Sequence, residues 1–177
     1  MNKKAIGFAL SVFSSLVGNA AFAADGTISV SGVVVANTCK VEAGGTPGGN
    51  TAVVLDRVST AALATIGSTA GFKAFSIKLT GCESAVAGQV KAGFEAGATT
   101  DIGSGRLITQ GDAQNVQLQL RNEDNSVIKV GDSNTVKGAS LVGGSATLNY
   151  LVGYYAASAG VKPGTLNSSV TYSVIYP

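Results

Sequence analysis

Apolar residues recur at every second position in five separate runs of this 177-residue chain. This spacing places their side chains on one face of an extended backbone, which is typical of a β-strand half-buried in a sheet. The runs are residues 28–34, 75–79, 116–120, 148–154 and 170–176. Because the pattern extends along most of the chain, we expect an all-β fold, arranged as a single β-sandwich.

Glycine-rich segments separate these runs. Residues 44–49, 103–105 and 143–144 have the composition of turns and loops. Only residues 59–66 have a pattern compatible with a short helix, with Ser59 or Thr60 as its cap. We find no internal repeat and no linker between domains.

The first 23 residues have the features of a secretory signal peptide. Lys3 and Lys4 precede an apolar stretch of about 13 residues, and Ala21-Phe22-Ala23 has the small-x-small form of a cleavage site. The apolar stretch is shorter than the roughly 20 residues that cross a bilayer. We therefore expect export and a mature chain that begins near Ala24, with no integral membrane segment.

Removing residues 1–23 removes two lysines and no acidic residue, so the mature chain carries ten basic and ten acidic residues. It has no basic block of the kind that binds nucleic acid, and we expect no nucleic-acid partner. Its low charge and its β-branched residues favour sheets with covered faces or a protein that functions in an assembly.

Cys39 and Cys82 are the only cysteines of the chain. In an exported protein an even pair is expected to form a disulfide, because the periplasm and the cell surface are oxidising. The chain contains no histidine and no second cysteine pair to complete a zinc site, so we expect a structural bond and no metal.

Catalytic signatures are absent from the sequence. Without histidine, neither a Ser-His-Asp nor a Cys-His arrangement can form. No Gly-Lys-Ser/Thr phosphate-binding loop occurs, and the carboxylates are scattered as in a solvated surface. We expect no enzyme activity and no cofactor.

Both ends of the expected mature chain carry a well-formed strand pattern. The run at residues 26–35 lies before the first cysteine and has no turn that makes it a hairpin with its neighbour. The run at residues 170–176 extends to the penultimate residue. A strand with an unpaired edge invites pairing with another chain, so both ends are candidates for intermolecular contacts.

In their order along the chain, these features resemble the pilin family of chaperone–usher fimbriae, which are the type 1 and related pili of Gram-negative bacteria. The matching features are an N-terminal strand with an embedded glycine (Gly32), Cys39 soon after it, the strand end Leu79-Thr80-Gly81-Cys82, the Tyr154-Tyr155-Ala156 run, Gly164 as the fourteenth residue from the C-terminus, and Tyr176 as the penultimate residue.

The resemblance implies an incomplete immunoglobulin-like sandwich that lacks its last strand and has an open hydrophobic groove. In this family a periplasmic chaperone lends a strand to the groove. At the outer-membrane usher, the N-terminal extension of the next subunit then replaces that strand, which is a form of β-augmentation. The resemblance thus implies a fimbrial subunit that supports cell adhesion, with other pilin copies, a chaperone and an usher as partners.

Transferred to this chain, the resemblance implies a signal peptide at residues 1–23, a donor-strand extension at 24–36 and an incomplete pilin domain at 37–177. The donor face would consist of Ile28, Val30, Gly32 and Val34. Glycine would lie where the groove is too tight for a side chain. The groove and the chaperone contact would involve the last strand, with Gly164 at the turn into it and Val170, Tyr172, Val174 and Tyr176 on its face.

Two alternatives stay open from the sequence. The chain has the features of either a main shaft subunit or a minor or adaptor subunit. A secreted, self-contained β-sandwich that binds a small molecule or a carbohydrate is the alternative from another class. Such a protein would use its N-terminal segment in its own sheet.

Overall fold

The computed structural model describes residues 29–31, 39–82 and 88–177. The chain divides into two compact units, Met1–Val35 and Ala36–Pro177, and the sandwich belongs to the second. Its strands are β1 (Lys40–Ala43), β2 (Thr46–Pro47), β3 (Thr69–Thr80), β4 (Gln89–Glu95), β5 (Thr100–Asp101), β6 (Arg106–Ile108), β7 (Gln110–Gly111), β8 (Val116–Asn122), β9 (Val127–Ile128), β10 (Ala139–Ser140), β11 (Ala146–Ala156), β12 (Leu166–Asn167) and β13 (Thr171–Ile175).

The larger sheet has the order β2-β1-β3-β11-β8-β6-β5, and β9 also pairs with β8. Its centre is the long antiparallel pair of β3 and β11, in which Leu148 lies opposite Ile77 and Tyr150 opposite Phe75. Three of the predicted alternating runs therefore form β3, β8 and β11, and the expectation of an all-β fold is confirmed.

A smaller sheet, β10-β4-β13, packs over the larger one, and β7 and β12 form a separate pair. The core between the two sheets is apolar and includes Phe94 of β4 and Tyr150 of β11, whose ring centroids are 5.1 Å apart. β4 was not predicted from the sequence, because small buried residues, Ala92 and Gly93, occupy its middle.

The predicted glycine turns are present. Gly44 and Gly45 join β1 to β2 with φ values of 55° and 82°, and the same left-handed conformation occurs at Gly143 and Gly144. Two consecutive residues of positive φ match the twist of antiparallel strands and strongly favour glycine.

The predicted short helix is a 3-10 helix at Thr60–Leu63. Ser59 is its N-cap residue, but its side chain makes no capping hydrogen bond. A second 3-10 helix, Ser133–Thr135, was not predicted; its first turn is capped by the Asp132 side chain, which accepts a hydrogen bond from the N–H of Asn134.

The predicted disulfide joins Cys39 to Cys82. It lies at the end of the β1–β3 ladder, where Lys40 is opposite Thr80, so it fastens β1 to the central strand β3. In the parts of the chain that the structure describes, no helix has the length and apolar character to cross a membrane.

Candidate strand-binding site

The last strand, β13, has a hydrogen-bonded neighbour along one edge. It pairs antiparallel with β4, from Thr171 opposite Glu95 to Ile175 opposite Lys91. Among residues 29–31, 39–82 and 88–177, no strand pairs with its other edge. A row of unpaired N–H and C=O groups is a template for a further strand.

One face of the last strand is apolar and only half-buried. The four residues predicted to line a groove, Val170, Tyr172, Val174 and Tyr176, all pack against the main core while keeping partial exposure. The intervening Thr171 and Ser173 are exposed. The face of β13 thus completes the core only in part, and apolar surface is left for another strand to cover.

A second unpaired backbone edge lies at residues 50–58. This segment belongs to no strand, and its N–H and C=O groups make no backbone–backbone hydrogen bond within the described residues. Val53 and Leu55 nevertheless pack against the main core, whereas Val54 between them is 78% exposed. This alternation of half-buried and exposed side chains is typical of an extended strand, although the segment is unpaired within the described residues.

One contact brings the start of this segment to the last strand. The Tyr172 hydroxyl donates a hydrogen bond of 2.7 Å to the carbonyl oxygen of Gly49, just before residue 50. At the other end of the segment, Val58 packs on the small core cluster that also includes Leu166 of β12. We define the strand-binding groove as the unpaired edge of β13 together with residues 50–58.

The groove has the chemistry of a strand acceptor. It offers apolar side chains and backbone hydrogen-bonding groups, and burial raises the pKa of the Tyr172 and Tyr176 hydroxyls. In the described parts of the chain, no group of three potential His, Cys, Asp or Glu ligands is placed to hold a metal ion.

Gly164 occupies a different position from the one predicted. The strand β12 intervenes between it and β13, so Gly164 is not at the turn into the last strand. A Cβ atom on Gly164 would lie 2.4 Å from the backbone nitrogen of Ala113 and 2.5 Å from the carbonyl carbon of Asp112. Glycine is therefore required for the close approach of two loops.

Of the predicted donor face, only Val30 is among the described residues. It is 91% exposed and belongs to no strand. Ile28, Gly32 and Val34 lie outside the described residues, and their role stays a prediction. Sequence reasoning missed residues 50–58 as a groove wall; the signal that it overlooked is the apolar run Ala52-Val53-Val54-Leu55 between a glycine-rich turn and a short helix.

Comparisons of sequence and of structure both relate the chain to fimbrial subunits. The family model for FimA, type-1 fimbrial protein A, matches residues 55–177. The chain is 45% identical over 168 residues to the major fimbrial subunit SMF-1 of Stenotrophomonas maltophilia, covering 89% of this chain and 95% of that protein. It is 36% identical over 180 residues to the F17 fimbrial protein of Escherichia coli, covering 97% and 98% of the two chains.

Solved structures with the same fold include pilus subunits. A chaperone–usher pilus structure matches with a TM-score of 0.62 at 19% identity, covering 87% of this chain and 96% of that one. The crystal structure of the P pilus rod subunit PapA matches with a TM-score of 0.55 at 17% identity, covering 85% and 100%. At these identities the similarity concerns the fold.

Proposed function

The chain belongs to the type-1 fimbrial protein family and is a structural subunit of a surface fimbria, and we propose that it polymerises by donating residues 24–36 to the strand-binding groove of the next copy. The observation that carries the proposal is the unpaired edge of β13. A strand inserted there would pair with β13 and would cover its half-buried apolar face.

The energetic gain from filling the groove is substantial. Each side chain of valine or isoleucine size that becomes buried contributes about 1.5–3 kcal/mol. Each backbone hydrogen bond formed with the edge of β13 contributes about 1 kcal/mol net. An unfilled subunit lacks both contributions, so we expect it to be much less stable alone than inside a fimbria.

The same unpaired edge supports the proposal that a chaperone binds the subunit during export. Residues 1–23 would direct the chain to the periplasm and be removed there. A periplasmic chaperone would fill the groove with a strand of its own, because an open apolar edge invites aggregation. At the outer-membrane usher, the donor segment of the next subunit would replace the chaperone strand.

We assign the chain to the shaft, because its relative at 45% identity is a major fimbrial subunit. A minor or adaptor subunit is the alternative, and it would occur once or a few times in each fimbria. Counting copies in purified fimbriae by mass spectrometry distinguishes the two. A self-contained binding module is the alternative from another class; it would accumulate as a stable monomer in the periplasm without a chaperone.

A chain that cannot donate a strand tests the proposal. A mature chain that lacks residues 24–36 keeps the groove, so it can accept the strand of one neighbour, but it cannot be added to a subunit already at the usher. Expressed together with the intact chain, it should therefore occur at most once in each fimbria, whatever its fraction of the supply, as measured by mass spectrometry of purified fimbriae. Shortened chains incorporated throughout the fimbriae in proportion to their supply would contradict the proposal.

A further inference from the structure

We propose that a polar cleft beside the end of β8 binds a neutral oligosaccharide, so that each subunit of the fimbria carries a glycan-binding site of its own. The inference goes beyond the proposed function, because the cleft shares no residue with the strand-binding groove. Its exposed polar side chains are those of Glu123, Asp124, Lys137, Thr147 and Asn149.

The cleft exists because β8 is shorter than β11. The last pair of their ladder is Asn122 opposite Tyr150, and the chain then turns away from the sheet. On that side of β11, no strand among the described residues pairs with residues 146–149. The gap between this stretch of β11 and residues 137–139 is a cleft of about 290 Å³. A ligand in the cleft can therefore reach backbone groups of β11 as well as side chains.

Two buried side chains hold one wall of the cleft in place. The backbone N–H of Lys137 donates a hydrogen bond of 2.8 Å to Oδ1 of Asn122, and its carbonyl oxygen accepts one of 3.0 Å from the Tyr150 hydroxyl. Asn122 also donates to the carbonyl oxygen of Thr135 at 2.9 Å. Asn122 and Tyr150 are each 1% exposed. Because the wall is already ordered, binding a ligand requires little loss of conformational freedom in the protein.

The charges of the cleft favour a ligand without negative charge. The Lys137 ammonium and the Asp124 carboxylate form an ion pair. Hydrogen bonds from Lys137 and from Ser126 hold the pKa of Asp124 well below its ordinary value, so this carboxylate stays ionised and paired. Glu123 is then the one lining side chain whose charge is not balanced within the cleft. A sulfated or sialylated glycan would be repelled by it.

The hydrogen-bonding groups of the cleft match sugar hydroxyls. Asn149 Nδ2 donates to Glu123 Oε1 at 3.2 Å, and within the described residues the other carboxylate oxygen of Glu123 and the amide oxygen of Asn149 accept no hydrogen bond. A carboxylate only accepts, an ammonium only donates, and an amide does both. Since a hydroxyl group can donate and accept, a ligand with several hydroxyls can pair with all three kinds of group.

A more apolar cleft of about 400 Å³ adjoins the polar one. It also contains Glu123 and Asn149, and it adds the apolar side chains of Ala74, Phe75 and Leu151. Sugar rings have carbon-bound hydrogens on their faces, and such a face fits against apolar side chains. Because the two clefts meet at Glu123 and Asn149, an oligosaccharide can extend from the polar cleft into the apolar one.

Repetition along the fimbria would make weak binding effective. Each subunit presents the cleft once, so a surface that carries many copies of the glycan can engage many subunits together. Linked sites of modest affinity bind far more tightly than one site alone. The body of the fimbria would then contribute to cell adhesion through the same subunit that builds it.

Intact purified fimbriae test the inference on an array that carries neutral, sialylated and sulfated oligosaccharides. We expect binding to neutral oligosaccharides. Asn149→Ala and Glu123→Ala, each made in the full chain, should weaken it by about tenfold or more, because each removes hydrogen bonds to the sugar. The matched control is Asn167→Ala, which changes an exposed asparagine in β12 that lines neither cleft. Electron microscopy checks that each variant forms fimbriae.

The outcomes separate the inference from the proposed function. Binding that is unchanged in Asn149→Ala and Glu123→Ala, as it would be if another protein at the fimbrial tip held the glycan, would overturn the inference. So would binding to sulfated or sialylated glycans alone, or to none. Loss of fimbriae in both variants would show that these side chains serve subunit contacts instead. None of these results decides strand donation, which the chain without residues 24–36 tests.

Discussion

The side-chain hydroxyl of Tyr150 accepts a hydrogen bond of 3.1 Å from the backbone N–H of Ala92, and so joins the central strand of the larger sheet to the smaller sheet. The same hydroxyl donates to the carbonyl oxygen of Lys137 at 3.0 Å. Tyr150 is 1% exposed and Ala92 is fully buried. The smaller sheet carries the unpaired edge of β13, so this contact helps to hold the groove in place.

Replacing Tyr150 with phenylalanine tests that contact. Tyr150→Phe keeps the ring in the core but leaves the N–H of Ala92 without its partner, and we expect a loss of about 1–3 kcal/mol in the free energy of unfolding. Tyr155→Phe is the matched control, because the hydroxyl of Tyr155 makes no hydrogen bond within the described residues. Urea denaturation measures both variants. Equal free energies of unfolding for the two variants would show that the hydrogen bonds of the Tyr150 hydroxyl do not stabilise the fold.

The stability of the protein should fall in alkaline solution. Burial raises the pKa of the Tyr150 hydroxyl, an effect that the hydrogen bond from Ala92 partly offsets. A tyrosine in the unfolded chain titrates near pH 10. Its stabilising contribution is therefore complete below about pH 10 and is lost as the pH rises through the higher native pKa. Urea unfolding at a series of pH values should show this decline, and Tyr150→Phe should make it shallower. If the stability of Tyr150→Phe declined as steeply with pH as that of the unmodified protein, the decline would not arise from the Tyr150 hydroxyl.

The disulfide should supply a large share of the stability. Cys39 and Cys82 are separated by 43 positions, and closing a loop of that length restricts the unfolded chain by about 4 kcal/mol in the chain-entropy model. We expect the double variant Cys39→Ala, Cys82→Ala to lose stability of that order in urea denaturation. Reductant should destabilise the unmodified protein by a similar amount and leave the double variant unchanged. A reductant effect on the double variant would show that the loss arises elsewhere.

The strands that sequence predicted best are those with one face in the core and large side chains on it. In β11, the alternation of Leu148, Tyr150 and Val152 is visible because buried and exposed positions differ strongly in polarity. In β4, Ala92 and Gly93 are both buried because other side chains fill the space above them, so the alternation is weak. The strand β4 therefore depends on tertiary packing, which a local sequence pattern does not show.

Only one of the two walls of the strand-binding groove was predicted from the sequence. The last strand was recognisable from Val170 to Tyr176, whereas residues 50–58 form no ladder within the described residues and carry a continuous apolar run instead of a strict alternation. The contact between Tyr172 and Gly49 joins positions that are 123 residues apart. No local signal predicts such a contact, because it depends on how the two edges meet in the folded chain.

The most direct test of strand donation is the thermal stability of the chain that begins at Asn37, measured with and without a synthetic peptide covering Ala24 to Ala36. We predict that the peptide raises the melting temperature strongly, because it adds a strand to β13 and buries the exposed apolar face. A peptide carrying Gly32→Trp should have no such effect. If the shortened chain is already stable and does not respond to either peptide, the groove does not accept this strand, and the account of polymerisation is wrong.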